Sequence, residues 1–184
     1  MEVQRIVSKG NTRGFNDDEF CYGMYDDFHH YEYTLLNGEY HGAFYVYYRN
    51  GQILQKLNYV RGQKQGLQLT NNENGTLSLK YYCKDGMQHG DFYAYGHQGH
   101  LDSKDTYENG EEVGTTYGWR SNSSLAYKNI HTTENGQQII HGTIYHPNGA
   151  VKIKYEHNIT KRTRVEEHWD EAGVPVPTPN QARA

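Results

Sequence analysis

Gly38-Glu39-Tyr40-His41-Gly42-Ala43-Phe44-Tyr45-Val46-Tyr47-Tyr48-Arg49-Asn50-Gly51 is the stretch that decides the fold. It opens with a Gly-x-x-x-Gly pair, runs through aromatic residues that recur at every second position, and closes on Asn-Gly. Two is the side-chain period of a β-strand. Working outward, the glycine pair returns as Gly62/Gly66, Gly86/Gly90 and Gly110/Gly114, with a step of 24 residues each time. The closing marker keeps the same step, as Asn74-Gly75, Gln98-Gly99 and Asn122-Ser123. Between the markers, one column reads Tyr45, Leu69, Tyr93, Tyr117 and the next Tyr47, Asn71, Tyr95, Trp119. Markers that stay in phase over four repeats identify a tandem array, the feature to look for first in any chain.

Asn-Gly between alternating segments is a strong hairpin signal, because a type I′ turn needs positive φ at both central residues. The reading places that turn at Gly51 and Gly75, and a return turn at the Gly-x-x-x-Gly pairs. Each repeat is then strand, Asn-Gly turn, strand, glycine turn. The expected fold is all-β: an elongated antiparallel β-hairpin array of about six repeats, built as a single-layer twisted sheet.

The array reads from Gly14 to residue 158, behind an N-terminal cap of residues 1–13. Residues 110–133 read as a weak repeat and 134–141 as a longer connection. Gly142, Asn148-Gly149 and Tyr155 form a further hairpin that is out of phase. The C-terminal segment, 159–184, carries a short helix signal near Val165–Glu171 and a flexible end containing Pro175, Pro177 and Pro179.

The pattern from Gly38 to Gly51, followed by Tyr59-Val60-Arg61-Gly62, resembles the MORN repeat, and most of all the bacterial MORN-variant repeat. The resemblance covers roughly residues 14–158. It implies a scaffold-like array without chemistry of its own. Bacterial proteins with this variant resemble antitoxins or immunity proteins of toxin systems, and eukaryotic members are linked to membranes and scaffolding.

Composition narrows the class of function. The 184 residues carry 18 Lys and Arg against 22 Asp and Glu, a balance that disfavours nucleic acid as a partner. No apolar run approaches the length of a membrane helix, and the first residues show no secretory signal. Two cysteines, Cys21 and Cys83, make no disulfide framework and suit a cytoplasmic protein. Among eleven histidines, His41, His89 and His141 occupy one turn position, where Gln65 and Val113 stand elsewhere, so they belong to the repeat and not to a metal site. No nucleophile elbow, phosphate loop or metalloprotease motif occurs. The expectation is a protein with no catalytic residues, no cofactor and no metal.

What remains is protein binding. Residues 1–42 hold eight acidic and three basic side chains. Asp17, Asp18, Asp26 and Asp27 form an acidic group suited to steering a basic partner. Phe44, Tyr48 and Phe92 fall on the face opposite Tyr45, Tyr93 and Tyr117. Irregular aromatics there suit a binding surface, with the regular columns as packed spine, although alternation alone leaves open which face is wet. Lys152, Lys154, Lys161, Arg162 and Arg164 form a small basic group near the C-terminus. The chain is therefore expected to be an inhibitor, such as an immunity protein or antitoxin that blocks a toxin or effector sterically. A phage counter-defence protein and a structural scaffold or membrane-surface adaptor are the alternatives.

Overall fold

A computed structural model describes residues 2–9 and 28–178, with Ser8, Lys9, Phe28 and His29 described by backbone alone. Gly14, Cys21, Asp17, Asp18, Asp26 and Asp27 lie outside the described residues. Among the described residues there are seventeen strands and no helix. The chain divides into two compact units, Met1–Gly90 with His97–Gly99, and Asp91–Gly96 with His100–Ala184.

The first unit contains β1 (Val3–Lys9), β2 (Phe28–Leu36), β3 (Glu39–Tyr48), β4 (Ile53–Val60), β5 (Gln63–Lys64), β6 (Gly66–Asn71), β7 (Leu77–Lys84) and β8 (Met87–Gln88). The second holds β9 (Gly90–Tyr95), β10 (Leu101–Glu108), β11 (Glu111–Glu112), β12 (Gly114–Trp119), β13 (Leu125–Glu134), β14 (Gln137–Tyr145), β15 (Val151–Asn158), β16 (Thr163–Trp169) and β17 (Pro175–Val176). Within each unit the strands pair antiparallel with their chain neighbours, and among the described residues no pairing closes a barrel. The all-β hairpin array is therefore the observed architecture.

The two kinds of turn are the reverse of the sequence expectation. At Asn50-Gly51 only the glycine has positive φ (85°). Gly51 N–H donates to Tyr48 O at 3.0 Å and Tyr48 N–H to Gln52 O at 2.8 Å, with a register shift at Val46/Tyr47. That is a three-residue hairpin loop, a type I turn closed by a glycine bulge. The type I′ turns sit instead at the first glycine of each pair, as Asn37-Gly38, Arg61-Gly62, Asp85-Gly86 and Asn109-Gly110, where both residues have positive φ. The second glycine opens a bulge. Tyr59 pairs with Lys64 and Lys56 with Leu69, so two extra residues are absorbed at Gln65-Gly66.

That bulge explains a fully buried glutamine. Gln68 Oε1 accepts from Asn58 N–H at 3.0 Å, and its Nε2 donates to Gly66 O at 3.0 Å. The side chain replaces the ladder bonds that the bulge removes, which is why a polar group can be wholly enclosed there.

Asparagine at the three-residue loops works in two directions. Its Oδ1 accepts from the backbone two residues on, as Asn50 from Gln52, Asn74 from Thr76 and Asn148 from Ala150. Its Nδ2 donates to the next loop, as Asn50 to Glu73 O, Asn74 to His97 O and Asn148 to Glu171 O. Aspartate could do only the first, having no donor when ionised.

The phase break comes from one strand. Strands β4, β7 and β10 have eight residues each, whereas β13 has ten. The loops begin at Tyr48, Asn72, Arg120, His146 and Asp170. The step from Arg120 to His146 is 26 residues, and from His146 to Asp170 it is 24 again. The residues expected as a long connection are instead the end of β13, the type I′ turn Asn135-Gly136 and the start of β14. The helix expected near Val165–Glu171 is strand β16, and the loop Asp170–Val174 leads on to β17. Thr163-Arg164-Val165-Glu166-Glu167-His168-Trp169 has no 3.6-residue apolar face, and pairing with β15 decides its state.

Candidate functional site

Burial separates the two faces of the sheet within each unit. In the first unit Tyr31, Phe44, Leu57 and Tyr59 form one buried cluster, against which Tyr33, Tyr40 and Val46 pack. Phe44 and Tyr48 are each only 5 % exposed. Tyr33 stacks on Phe44 at 5.4 Å between ring centres, and the Tyr48 hydroxyl donates to Asn71 O at 2.8 Å. Phe92 is half-buried, edge-on to Tyr107 at 6.0 Å. The expected face assignment is thus corrected: Phe44 and Tyr48 belong to the packed side and offer no free surface. The reason is cross-strand register, which sets Phe44 against Tyr33 and Leu57. The acidic group Asp17, Asp18, Asp26 and Asp27 lies outside the described residues.

In each unit the regular aromatic columns occupy the other face, here called the outer face, and all of them are half-exposed. Each is accompanied by a lysine column, Lys56, Lys80, Lys104, Lys128 and Lys154, the first four at the same 24-residue step. Lysine ammonium groups lie over rings: Lys56 over Tyr45 at 5.9 Å, Lys104 over Tyr93 at 5.6 Å, Lys128 over Tyr117 at 6.0 Å and Lys154 over Trp169 at 5.8 Å. The register produces this directly, since Tyr45 faces Lys56 and Tyr117 faces Lys128. Each such contact is worth roughly 0.5–1 kcal/mol at exposed sites.

Rings along one strand also stack. Tyr117 and Trp119 lie 5.8 Å apart and Tyr93 and Tyr95 6.5 Å, while His30 lies flat on Tyr47 at 4.3 Å. Asp91 fixes the start of the second unit's row, accepting from the Tyr93 hydroxyl at 2.8 Å and pairing with Lys104 at 3.1 Å. Burial pushes the Asp91 carboxyl up, but hydrogen bonds from Tyr93, Lys104 and Thr106 outweigh it and hold the group below the usual carboxylate range. The outer face thus presents pre-ordered aromatic platforms whose cations are already in place. Rigid Tyr and Trp surfaces bind with little loss of side-chain entropy.

The packed face changes character along the chain. In the first unit it is mainly aromatic and aliphatic, apart from the buried Gln68 and Thr70. In the second it carries Ser103, Asp105, Asn129, His131 and Tyr155, with the Tyr155 hydroxyl donating to Asn129 Oδ1 at 2.8 Å. Burial pushes the carboxyls of Asp105 and Glu112 up, and the neighbouring Asp105 adds to the effect on Glu112 while His131 opposes it. Glycines make room for rings here. A Cβ on Gly118 would lie 2.1 Å from the Tyr127 ring and one on Gly142 2.0 Å from Tyr155.

A groove of about 380 Å³ opens in the second unit between β11 and the β13–β14 hairpin. Glu111, Glu112 and Val113 form one side, and residues of the β13–β14 hairpin, polar Thr132, Thr133 and Gln138 among them, line the rest with Ile159. No group of three or more metal-binding side chains occurs among the described residues, and no helix there is long and apolar enough to cross a membrane. No protein-family model and no curated protein matches the chain.

Proposed function

We propose that this chain is a non-enzymatic protein-binding module that acts as an inhibitor, of the immunity-protein or antitoxin kind, by covering a toxin or effector. The observation that carries this reading is the outer face, where half-exposed Tyr and Trp recur in register with lysines. Aromatic anchors on a rigid sheet match the composition of binding hot spots. The acidic N-terminal third adds a means of steering a basic partner, through Asp17, Asp18, Asp26 and Asp27.

Affinity capture from host cells tests the reading. Wild-type protein is compared with a folded variant carrying Tyr117→Ser and Trp119→Ser. The expected result is one stoichiometric protein partner, lost with the variant. Equal capture by both, or no stoichiometric partner, contradicts it.

A further inference from the structure

The apolar surface that the first unit leaves to solvent is gathered on one face. Among the described residues its exposed large apolar side chains are Val3, Val7, Val60, Tyr82 and Met87, with Val60, Tyr82 and Met87 exposed by 46 %, 41 % and 47 %. Register places them all on the outer face. Val7 stands opposite Glu32, and Glu32 opposite Tyr45. Tyr45 faces Lys56, Lys56 faces Leu69, and Leu69 faces Lys80. Val3 shares the parity of Val7 on β1, Val60 that of Lys56 on β4, and Tyr82 and Lys84 that of Lys80 on β7, so strand alternation keeps them on that face. Met87 pairs with Lys84 across the type I′ turn Asp85-Gly86.

The turns beside Val60 and Met87 lie next to each other, since Gly86 N–H donates to Lys64 O at 3.0 Å. Leu67 faces Tyr82 across the neighbouring strands. Val60, Leu67, Tyr82 and Met87 thus form an apolar patch, bordered by Lys56, Lys80 and Lys84. Among the described strand side chains of this face the carboxylates are Glu32, held by Arg5 at 2.8 Å, and Glu39 at the start of β3. The type I′ turns add Arg61 and Asp85, one charge of each sign. The face is therefore net basic around its exposed apolar patch. A patch of that kind rimmed by charge marks a place of association.

We propose that the outer face of the first unit binds an acidic segment of a partner protein, its carboxylates meeting Lys56, Lys80 and Lys84 and its apolar residues covering Val60, Tyr82 and Met87. The proposal rests on the protein-binding reading above and names the partner's chemistry at one part of the outer face. Charge complementarity selects the sign of that segment. The apolar side chains select peptide over single-stranded nucleic acid. Bases stack on open ring faces, whereas this patch is largely aliphatic and the Tyr45 ring already carries the Lys56 ammonium at 5.9 Å. Lys56 and Lys80 are two strand spacings apart, about 9.6 Å. Acidic residues three apart in an extended polyproline-type segment recur at about 9.3 Å, which matches that step.

The test uses the full chain and the peptide acetyl-Glu-Leu-Pro-Glu-Leu-Pro-Glu-amide, with glutamine in place of glutamate as its neutral counterpart. Binding is followed by NMR at the methyls of Val60 and Met87 and the ring of Tyr82. The acidic peptide is expected to shift these signals saturably, and the glutamine peptide to bind about tenfold more weakly or not at all. Lys56→Gln with Lys84→Gln is expected to weaken the acidic peptide about tenfold, as loss of two surface charge pairs does. Should the double variant disturb the fold, Lys84→Gln alone serves as the second variant, with a loss of about threefold. No shift with the acidic peptide, equal affinity for the glutamine peptide, unchanged affinity in a folded variant, or tighter binding of a ten-nucleotide oligothymidylate overturns the proposal. Those outcomes concern the first unit alone, whereas failure of the protein-binding reading shows in the capture experiment, whose variant lies in the second.

Discussion

Replacing Gly118 by Ala isolates the contribution of a single ring to the second unit. Gly118 is buried on the packed face of β12, and its φ is not in the left-handed region, so the backbone accepts alanine. The obstacle is Tyr127. The new Cβ would stand 2.1 Å from Cε1, 2.5 Å from Cζ and 2.7 Å from Cδ1 of that ring. Ordinary carbon contacts need about 3.5–4.0 Å, so the ring must retreat by about 1.5 Å. If it gives up on the order of 100 Å² of contact, the loss is about 2.5 kcal/mol at roughly 25 cal/mol per Å². Alanine in a strand returns about 0.5–1 kcal/mol of backbone entropy. The net cost is about 1.5–2 kcal/mol, or about 3–8 °C in melting temperature for a chain of this size. Both tryptophans, Trp119 and Trp169, belong to the second unit, so urea unfolding followed by intrinsic fluorescence reports on it selectively. In a Tyr127→Ala background the same glycine substitution should be neutral or stabilising, because the clash is gone. Wild-type stability of Gly118→Ala, or an equal cost in the two backgrounds, would refute the packing argument.

Three further outcomes follow from the turns and the buried acid. Arg61 holds φ at 49° in a type I′ turn, a position that suits asparagine. Arg61→Asn should stabilise the first unit by about 0.5–1 kcal/mol in thermal or urea melts, and a fall in stability would count against the turn assignment. Asn74→Asp keeps the acceptor that takes Thr76 N–H but removes the donor to His97 O. A loss of about 1 kcal/mol is expected, with faster amide exchange at Gly75 and Thr76. Asp105 has its carboxyl pushed up by burial, so the native state binds its proton more tightly than the unfolded chain does. That destabilisation is absent at low pH and grows as the pH rises from the unfolded value of 3.8 through the raised one. Asp105→Asn should therefore raise the melting temperature at neutral pH and lose its advantage on acidification; a constant difference across pH would contradict the burial argument.

Much of the fold was legible because turn chemistry and strand period repeat without interruption from Gly38 to Gly114. What alternation cannot tell is which of two faces is packed. Tyr45 and Phe44 are both large aromatics, and only the register that sets Phe44 against Tyr33 and Leu57 decides the matter. Asn50-Gly51 points to type I′ geometry because the dipeptide is typical of it. The strand-to-strand twist is instead served at Arg61-Gly62 and Asp85-Gly86, where residues other than asparagine tolerate positive φ. The slip after Arg120 has a readable signal, Asn135-Gly136, inside the segment that reads as a connection. The lysine column was also readable at its 24-residue step. The groove was not, since it depends on how β11 lies against the β13–β14 hairpin, and neither the bulge at Gly114 nor the extra length of β13 names a site by itself.

The central claim is that the outer aromatic face is where a partner docks. Hydroxyl-radical footprinting of the complex with the captured partner, read by mass spectrometry at single side chains, tests it most directly, because tyrosine and tryptophan oxidise according to exposure. Tyr117 and Trp119 lie on the outer face, whereas Tyr127 and Tyr155 cover Gly118 and Gly142 on the packed face. The account predicts that Tyr93, Tyr117 and Trp119 become protected in the complex while Tyr127 and Tyr155 oxidise as in the free protein. Protection confined to Tyr127 and Tyr155, or no protection of either set, would contradict it.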